Sequence, residues 1–318
     1  MIHKIKNYPA CRLRQNKYTA AILRKIIVPS VSAILAVITF FSCVAPIDIN
    51  TRDSEPVIVI YGLLTDEFKY QYIRITSSSP YFDQKINMVV SDAKVSVKSS
   101  NGDEQQFLSE KEGYYVSEKK FAAVPGTTYY LTVDVDFDKD GVVDRYEAET
   151  TILPITPVDS FNVTLLSIMG YRHFSLNLNM QDPPEADNYY LFRFIINDSI
   201  GNGRISEYII SEDRMYNGEY FSGISVMYLE DATDEKNLTG PGADEDRKFM
   251  VVPGDRIRLQ ILNIEKGYYH FINECISEKY GENPFFGGPP SNIATNLSNG
   301  AVGYFTGFCI QEKCAVVP

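Results

Sequence analysis

From Val57 onward, apolar and polar residues alternate with a period of two, as half-buried strands do. Seven such runs lie between Val57 and Ile152, among them Val57–Leu64 (VIVIYGLL), Tyr114–Ser117 (YYVS), Thr128–Val135 (TYYLTVDV) and Arg145–Ile152 (RYEAETTI). Turn dipeptides such as Asn101-Gly102 and Pro125-Gly126 separate them. Seven short strands in about 100 residues predict an immunoglobulin-like β-sandwich over residues 56–153. Pro154 and Pro157 then mark a boundary. A second β-sandwich-like domain is expected over residues 154–318, with further strands from Asp159 to Ile264, among them Tyr189–Ile196 and Ile224–Tyr228. It holds one helix, Glu265–Tyr280, whose Tyr268, Phe271, Ile272, Cys275 and Ile276 share a face. A segment rich in Gly, Pro and Asn follows, and Ala301–Phe308 is the last expected strand. The predicted fold class is therefore all-β in the main.

The first 42 residues break this pattern. Seven Lys and Arg residues precede the apolar run Ile26–Phe41, which leads through Ser42 to Cys43. A basic segment, an apolar segment and a small residue before cysteine make a bacterial lipoprotein signal, with Cys43 as the lipidated residue. The alternative is a single transmembrane anchor, for which about 16 apolar residues is short. Residues 43–55 then form a tether. Removing residues 1–42 takes the net charge from −11 to −18. Such an acidic body lacks the basic face that phosphate recognition needs, which argues against nucleic acid as a partner.

Three cysteines remain in the body of the chain: Cys275, Cys309 and Cys314. An oxidising envelope permits a disulfide. Cys309 and Cys314, in CIQEKC, are a possible clip at the C-terminus, and Cys275 is an alternative partner for either.

One segment carries ligand chemistry. Asp136-Phe-Asp138-Lys-Asp140-Gly141-Val142-Val-Asp144-Arg-Tyr-Glu147 matches the calcium-loop pattern D-x-D-x-D-G-x5-E. In that reading Asp136, Asp138, Asp140, Asp144 and Glu147 supply side-chain oxygens, and Val142 supplies its carbonyl. Val143 is expected to pin the loop to its domain. Strands flank the segment on both sides, so it caps a β-hairpin rather than joining two helices. A structural calcium ion and a plain solvated acidic turn are the two readings. A second acidic stretch, Glu230–Asp246, reads as a solvated loop.

Several strings occur in a distinctive order: EPVIVIYGLLTDE, YIRITSSSPYFD, SDAKVSVKSSNG, PGTTYYLTV, VVPGDRIRLQILNIEKGYYHF and PPSNI…GAVGYF. This order resembles the lipoprotein family known as domain of unknown function 4249, over most of residues 43–308. The resemblance implies an outer-membrane lipoprotein of Bacteroidota-type bacteria, held to the membrane by its lipid. It also implies an outer-membrane TonB-dependent receptor as partner, and it brings no catalytic residues. Val44-Ala45-Pro46-Ile47 follow the cysteine where members usually carry acidic residues, so both the cell surface and the periplasmic face stay open.

An enzyme finds little support in the residues. No G-x-S-x-G, H-E-x-x-H, phosphate loop or G-x-G-x-x-G occurs. Only His173 and His270 lie beyond the signal segment, and Trp is absent. The expectation is a non-enzymatic accessory or ligand-capture lipoprotein. The alternatives are a surface adhesin or glycan-binding module that stacks sugars on tyrosines, and a hydrolase built on a convergent carboxylate pair.

Overall fold

In the computed structural model the described residues are 56–78, 88–184, 187–239, 249–280 and 293–318. They are mainly β. The signal segment, Cys43 and the tether lie outside them, as do residues 240–248 and 281–292.

Seven strands fill the first part: β1 Ile58–Thr65, β2 Tyr72–Ser77, β3 Lys94–Ser99, β4 Glu104–Ser109, β5 Tyr114–Ser117, β6 Thr128–Val135 and β7 Asp144–Thr151. β1, β3, β6 and β7 bury alternate residues over most of their length. In β6, Tyr129, Leu131, Val133 and Val135 point inward, between half-exposed or exposed Thr128, Tyr130, Thr132 and Asp134. These inward rows form one core with Ile58, Ile60, Ile73 and Ile75. The sheet has eight strands, however, in the order β16-β1-β2-β5-β4-β3-β6-β7. The eighth, β16 (Val302–Phe308), comes from the far end of the chain and pairs in parallel with β1, Val59 opposite Val302. Two glycines permit the close approach. A side chain at Gly303 would meet the Ile60 carbonyl at 2.1 Å, and one at Gly62 would meet the Phe305 ring at 2.7 Å.

The two edges of this sheet meet. Asn296 Nδ2 donates to the Glu149 carbonyl on β7 (2.9 Å) and to the Phe305 carbonyl on β16 (2.7 Å). The Gly307 N–H of β16 donates to Thr150 Oγ1 of β7 (3.2 Å). The sheet thus curls on itself, and bridging side chains cover edges that would otherwise stand open.

The second part holds β8 Val158–Ile168, β9 Tyr171–Gln181, β10 Tyr189–Ile196, β11 Ser199–Ile200, β12 Ile209–Glu212, β13 Tyr220–Asp231, β14 Met250–Val251, β15 Arg256–Asn263 and β17 Ile310–Val316. One sheet runs β11-β10-β15-β17 with β12 on β10, and the other runs β14-β13-β9-β8. Phe174, Leu176 and Leu178 of β9 face Tyr190, Phe192 and Phe194 of β10 and Ile257, Leu259 and Ile261 of β15 in a second core. The helices are α1, Glu235–Thr239, and α2, Lys266–Tyr280. α2 lies over the outer side of β10, which explains why YYLFRFII is apolar on both faces. Tyr190, Phe192 and Phe194 enter the second core, while Tyr189 and Leu191 pack with Tyr268, Phe271 and Ile272 of the helix. Tyr304 of β16 and the half-buried Tyr61 and Leu63 of β1 join that helix cluster.

Residues Ser54–Pro318 form one compact unit. The expected parting at 153/154 is bridged three times: by β16 in the first sheet, by α2, and by Glu265, which accepts from Thr150 Oγ1 (2.6 Å) and the Thr151 N–H (3.1 Å).

β17 was not expected. It corrects the disulfide reading as well, because Cys314 lies on this strand and Cys309 precedes it. The four steps from Ile310 to Cys314 span about 13 Å in a strand, beyond the about 7 Å that a disulfide tolerates between Cα atoms. Cys275, Cys309 and Cys314 are all free thiols.

Candidate functional site

The acidic hairpin turn joins β6 to β7. Lys139 and Gly141 adopt left-handed φ values of 63° and 91°, which curl the segment tightly. This brings side-chain oxygens of Asp136, Asp138 and Asp140 within 4.8 Å of one another. Backbone donors already use several: Asp140 N–H to Asp138 Oδ1 (3.2 Å), Gly141 N–H to Asp136 Oδ2 (3.1 Å) and Val142 N–H to Asp140 Oδ1 (2.7 Å). Asp136 Oδ1 is buried with no hydrogen-bond partner among the described residues. An all-oxygen set with one orphaned oxygen suits a hard cation.

The remaining expected ligands stand apart. Asp144 and Glu147 belong to the β7 ladder, opposite Val135 and Thr132. Glu147 is exposed, and its backbone is fastened to Ser298 by bonds of 2.7 and 2.8 Å. The hairpin pairing continues right up to Asp144, so positions 9 and 12 of the motif lie in the ladder. Val143 does not pin the loop either, being 63% exposed. Lys139 reaches outward to Asp92 at 2.5 Å.

A second place is concave and aromatic. On the outer face of the first sheet, register places Tyr61 of β1 opposite Arg74 of β2, and Arg74 opposite Tyr114 of β5. Tyr72 stands one strand position pair away, its ring edge-on to Tyr114 with centroids 6.5 Å apart. The Arg74 guanidinium lies over the Tyr114 ring, 5.3 Å from its centroid. These residues, with Val59, Leu63 and Thr76, line a groove of about 450 Å³. A neighbouring hollow of about 440 Å³ shares Tyr72 and Tyr114 and adds Glu110, Lys111 and Glu112. At one end the Tyr61 hydroxyl bonds the Tyr268 hydroxyl of α2 (2.7 Å), and burial pushes both phenols up.

A convergent carboxylate pair does exist. Asp182 is fully buried and Asp213 nearly so. Tyr190 Oη donates to Asp182 Oδ1 (2.5 Å), the Gly218 N–H donates to Oδ2 (3.0 Å), and Asn188 N–H donates to Asp213 Oδ2 (2.8 Å). Burial raises the Asp182 carboxyl, with Asp213 adding to the effect. With every Asp182 oxygen engaged and no exposed surface, this pair fastens the end of β9 to the turn before β13.

The other flagged residues have structural partners. His173 Nδ1 lies 3.1 Å from the Tyr171 carbonyl, and the exposed His270 stands beside Tyr189 and Tyr269. The acidic stretch from Glu230 is not simply a solvated loop. Asp231, fully buried, accepts from the Thr233 N–H and hydroxyl and pairs with Arg172 at 3.0 Å, and α1 follows. Asp244, Glu245, Asp246 and the Pro289–Asn292 segment lie outside the described residues.

The class so defined is an all-β scaffold of two packed β units, stitched by one helix and carrying an aromatic groove on its first sheet. The chain belongs to the family described as "Domain of unknown function (DUF4249)", whose model matches residues 44–313. A two fibronectin type-III domain segment from chicken tenascin is similar at 10% identity, over 62% of this chain and 86% of that one, with a TM-score of 0.17. Salmonella alpha-2-macroglobulin reacted with methylamine is similar at 10% identity over 68% of this chain and 14% of that one, with a TM-score of 0.22. At such scores neither likeness bears on function. No curated protein sequence matches the chain.

Proposed function

We propose that this protein is a non-enzymatic outer-membrane lipoprotein, anchored through Cys43, that captures a ligand for a TonB-dependent receptor. The observation that carries the reading is the Tyr72–Arg74–Tyr114 groove, an exposed aromatic concavity on a sheet face otherwise free to be polar. The signal-like segment before Cys43 and the family resemblance support the membrane setting. Affinity capture from gently solubilised outer membranes tests the partner. A β-barrel receptor co-purifying with the wild type supports the reading, and an eluate free of any envelope protein overturns it.

The same groove favours a second reading, a glycan-binding surface module with tyrosines as stacking platforms. Protease accessibility on intact cells, with no receptor co-purifying, separates it from receptor capture.

Calcium enters as a structural ligand of the β6–β7 turn, held by Asp136, Asp138 and Asp140. The orphaned Asp136 Oδ1 supports this. With Asp144 and Glu147 held in the ladder, water completes the shell and the site is weak. Thermal melting should rise in millimolar calcium relative to chelator, and Asp138→Ala should remove the difference. Equal melting temperatures in both conditions for the wild type would rule the ion out.

A further inference from the structure

The geometry points to a saccharide as the groove's ligand: one acidic sugar seated at Arg74 beside neutral sugars that cross Tyr72 and Tyr114. The inference deepens the ligand-capture reading and rests on it for its biological setting only.

Arg74 is the first argument. Its guanidinium is exposed, and no carboxylate pairs with it among the described residues, in a chain of net charge −11. Its position over the Tyr114 ring, 5.3 Å from the centroid, restrains the guanidinium by a cation–π contact, and no described side chain takes up its N–H donors. Those donors suit a carboxylate bidentately. The tyrosines are the second argument. Tyr72 and Tyr114 are 48% and 38% exposed, and they form the ridge between the two hollows. The Tyr72 ring stands edge-on to Tyr114, whose other neighbour is the Arg74 guanidinium, so the apolar area open to the C–H face of a pyranose is chiefly that of Tyr72, with the uncovered part of Tyr114 at an angle to it. Each hollow falls within the roughly 300–1,000 Å³ usual for small-ligand sites, so a ligand spanning both must cross the tyrosine ridge.

The second hollow decides between ligand classes. Glu110 and Glu112 line it with one Lys111. Two carboxylates accept hydrogen bonds from sugar hydroxyls, whereas they repel an acidic peptide or a uniformly charged polyuronate. The groove therefore changes character along its length, from anion-accepting at Arg74 to hydroxyl-accepting at Glu110 and Glu112.

Calorimetric titration of the purified full-length protein in detergent tests this. The probes are sialyllactose and a hyaluronan tetrasaccharide, with lactose, tetragalacturonate and tetraglutamate as comparisons. At least one of the first two should bind more tightly than all three comparisons. Arg74→Gln should weaken that binding tenfold or more, and Tyr72→Ala should weaken it as well. Melting curves check that each variant is folded, and the two exposed substitutions serve as independent checks on one another. Failure of both acidic oligosaccharides to bind, indifference of binding to Arg74→Gln and Tyr72→Ala, or preference for tetraglutamate each overturns the proposal. Receptor co-purification is measured separately, so either result can fail alone.

Discussion

At the scale of single residues, the polar groups inside the protein decide more than the apolar ones. Thr306 on β16 is fully buried, and its hydroxyl has no partner among the described residues. An unmade buried hydrogen bond costs about 1–3 kcal/mol, so Thr306→Val, nearly the same shape, should stabilise the protein by about 1 kcal/mol. Urea unfolding measures this, and a loss of stability would show that the hydroxyl is satisfied after all. Asp182 gives a pH signature. Its folded carboxyl lies above the ordinary 3.8, chiefly through burial. The folded state then holds the proton more tightly than the unfolded state. Its contribution is fully present below about pH 4 and is lost as pH rises through the folded value. Asp182→Asn should therefore flatten the decline in stability as pH rises above about 4. Parallel wild-type and variant curves would contradict the assignment. None of this was legible beforehand, because Asp182, Tyr190 and Asp213 lie on different elements and no spacing links them. The calcium-type segment shows the converse. Its residue types were plain in the sequence, and the expected strand Arg145–Ile152 already set Glu147 in the hairpin; that the β6–β7 ladder runs one residue further, to Asp144, is what alternation left open.

At the scale of elements, alternation was a good guide wherever the register is regular. Tyr114–Ser117, Thr128–Val135 and Tyr189–Ile196 are strands over the very residues that the pattern marks. It failed where pairing rather than pattern makes the strand. β13 runs from Tyr220 to Asp231, yet only Ile224–Tyr228 reads as strand, because register shifts at Ser222/Ile224 and Ser225/Met227 break the alternation. β17, IQEKCAV, looks polar and owes its extended form to the β15 ladder, where Leu262 pairs with Ile310 and Arg256 with Val316. The groove is hidden for a related reason: β5 lies beside β2 although β3 and β4 intervene in sequence, so Tyr72, Arg74 and Tyr114 come together only in the sheet. The β17 finding predicts thiol chemistry. Cys309 is buried in the first core, with its thiol pushed up to about 12 by burial, whereas Cys314 is exposed. A thiol reagent should label Cys314 first in the native protein and reach Cys309 only on unfolding. Reductant should leave the melting temperature unchanged. A melting temperature that falls on reduction would restore a disulfide to the account.

At the scale of the whole molecule, the closure of the first sheet changes what a domain means in this chain. Residues 56–153 look self-sufficient in sequence, with seven alternating strands and proline punctuation. In three dimensions their core is completed by Leu297, Ala301, Phe305 and Cys309, which lie more than 140 residues further on. Val59 and Val302 are paired across 243 positions, a parallel contact that no local pattern encodes. Without β16, the inner edge of β1 loses its ladder partner, Asn296 no longer ties β7 to the sheet, and Ile58, Ile60 and Leu64 lose part of their cover. Losing a single large buried side chain costs about 3–5 kcal/mol, against a net stability of about 5–15 kcal/mol for a domain, so losing Phe305 together with its neighbours exceeds what the fragment can spare. Residues 56–153 expressed alone should therefore show no cooperative thermal transition, and supplying residues 154–318 in trans should restore one. If the fragment alone melted as sharply as the intact chain, the first sheet would be an independent domain, and β16 an addition to it rather than a part of its core.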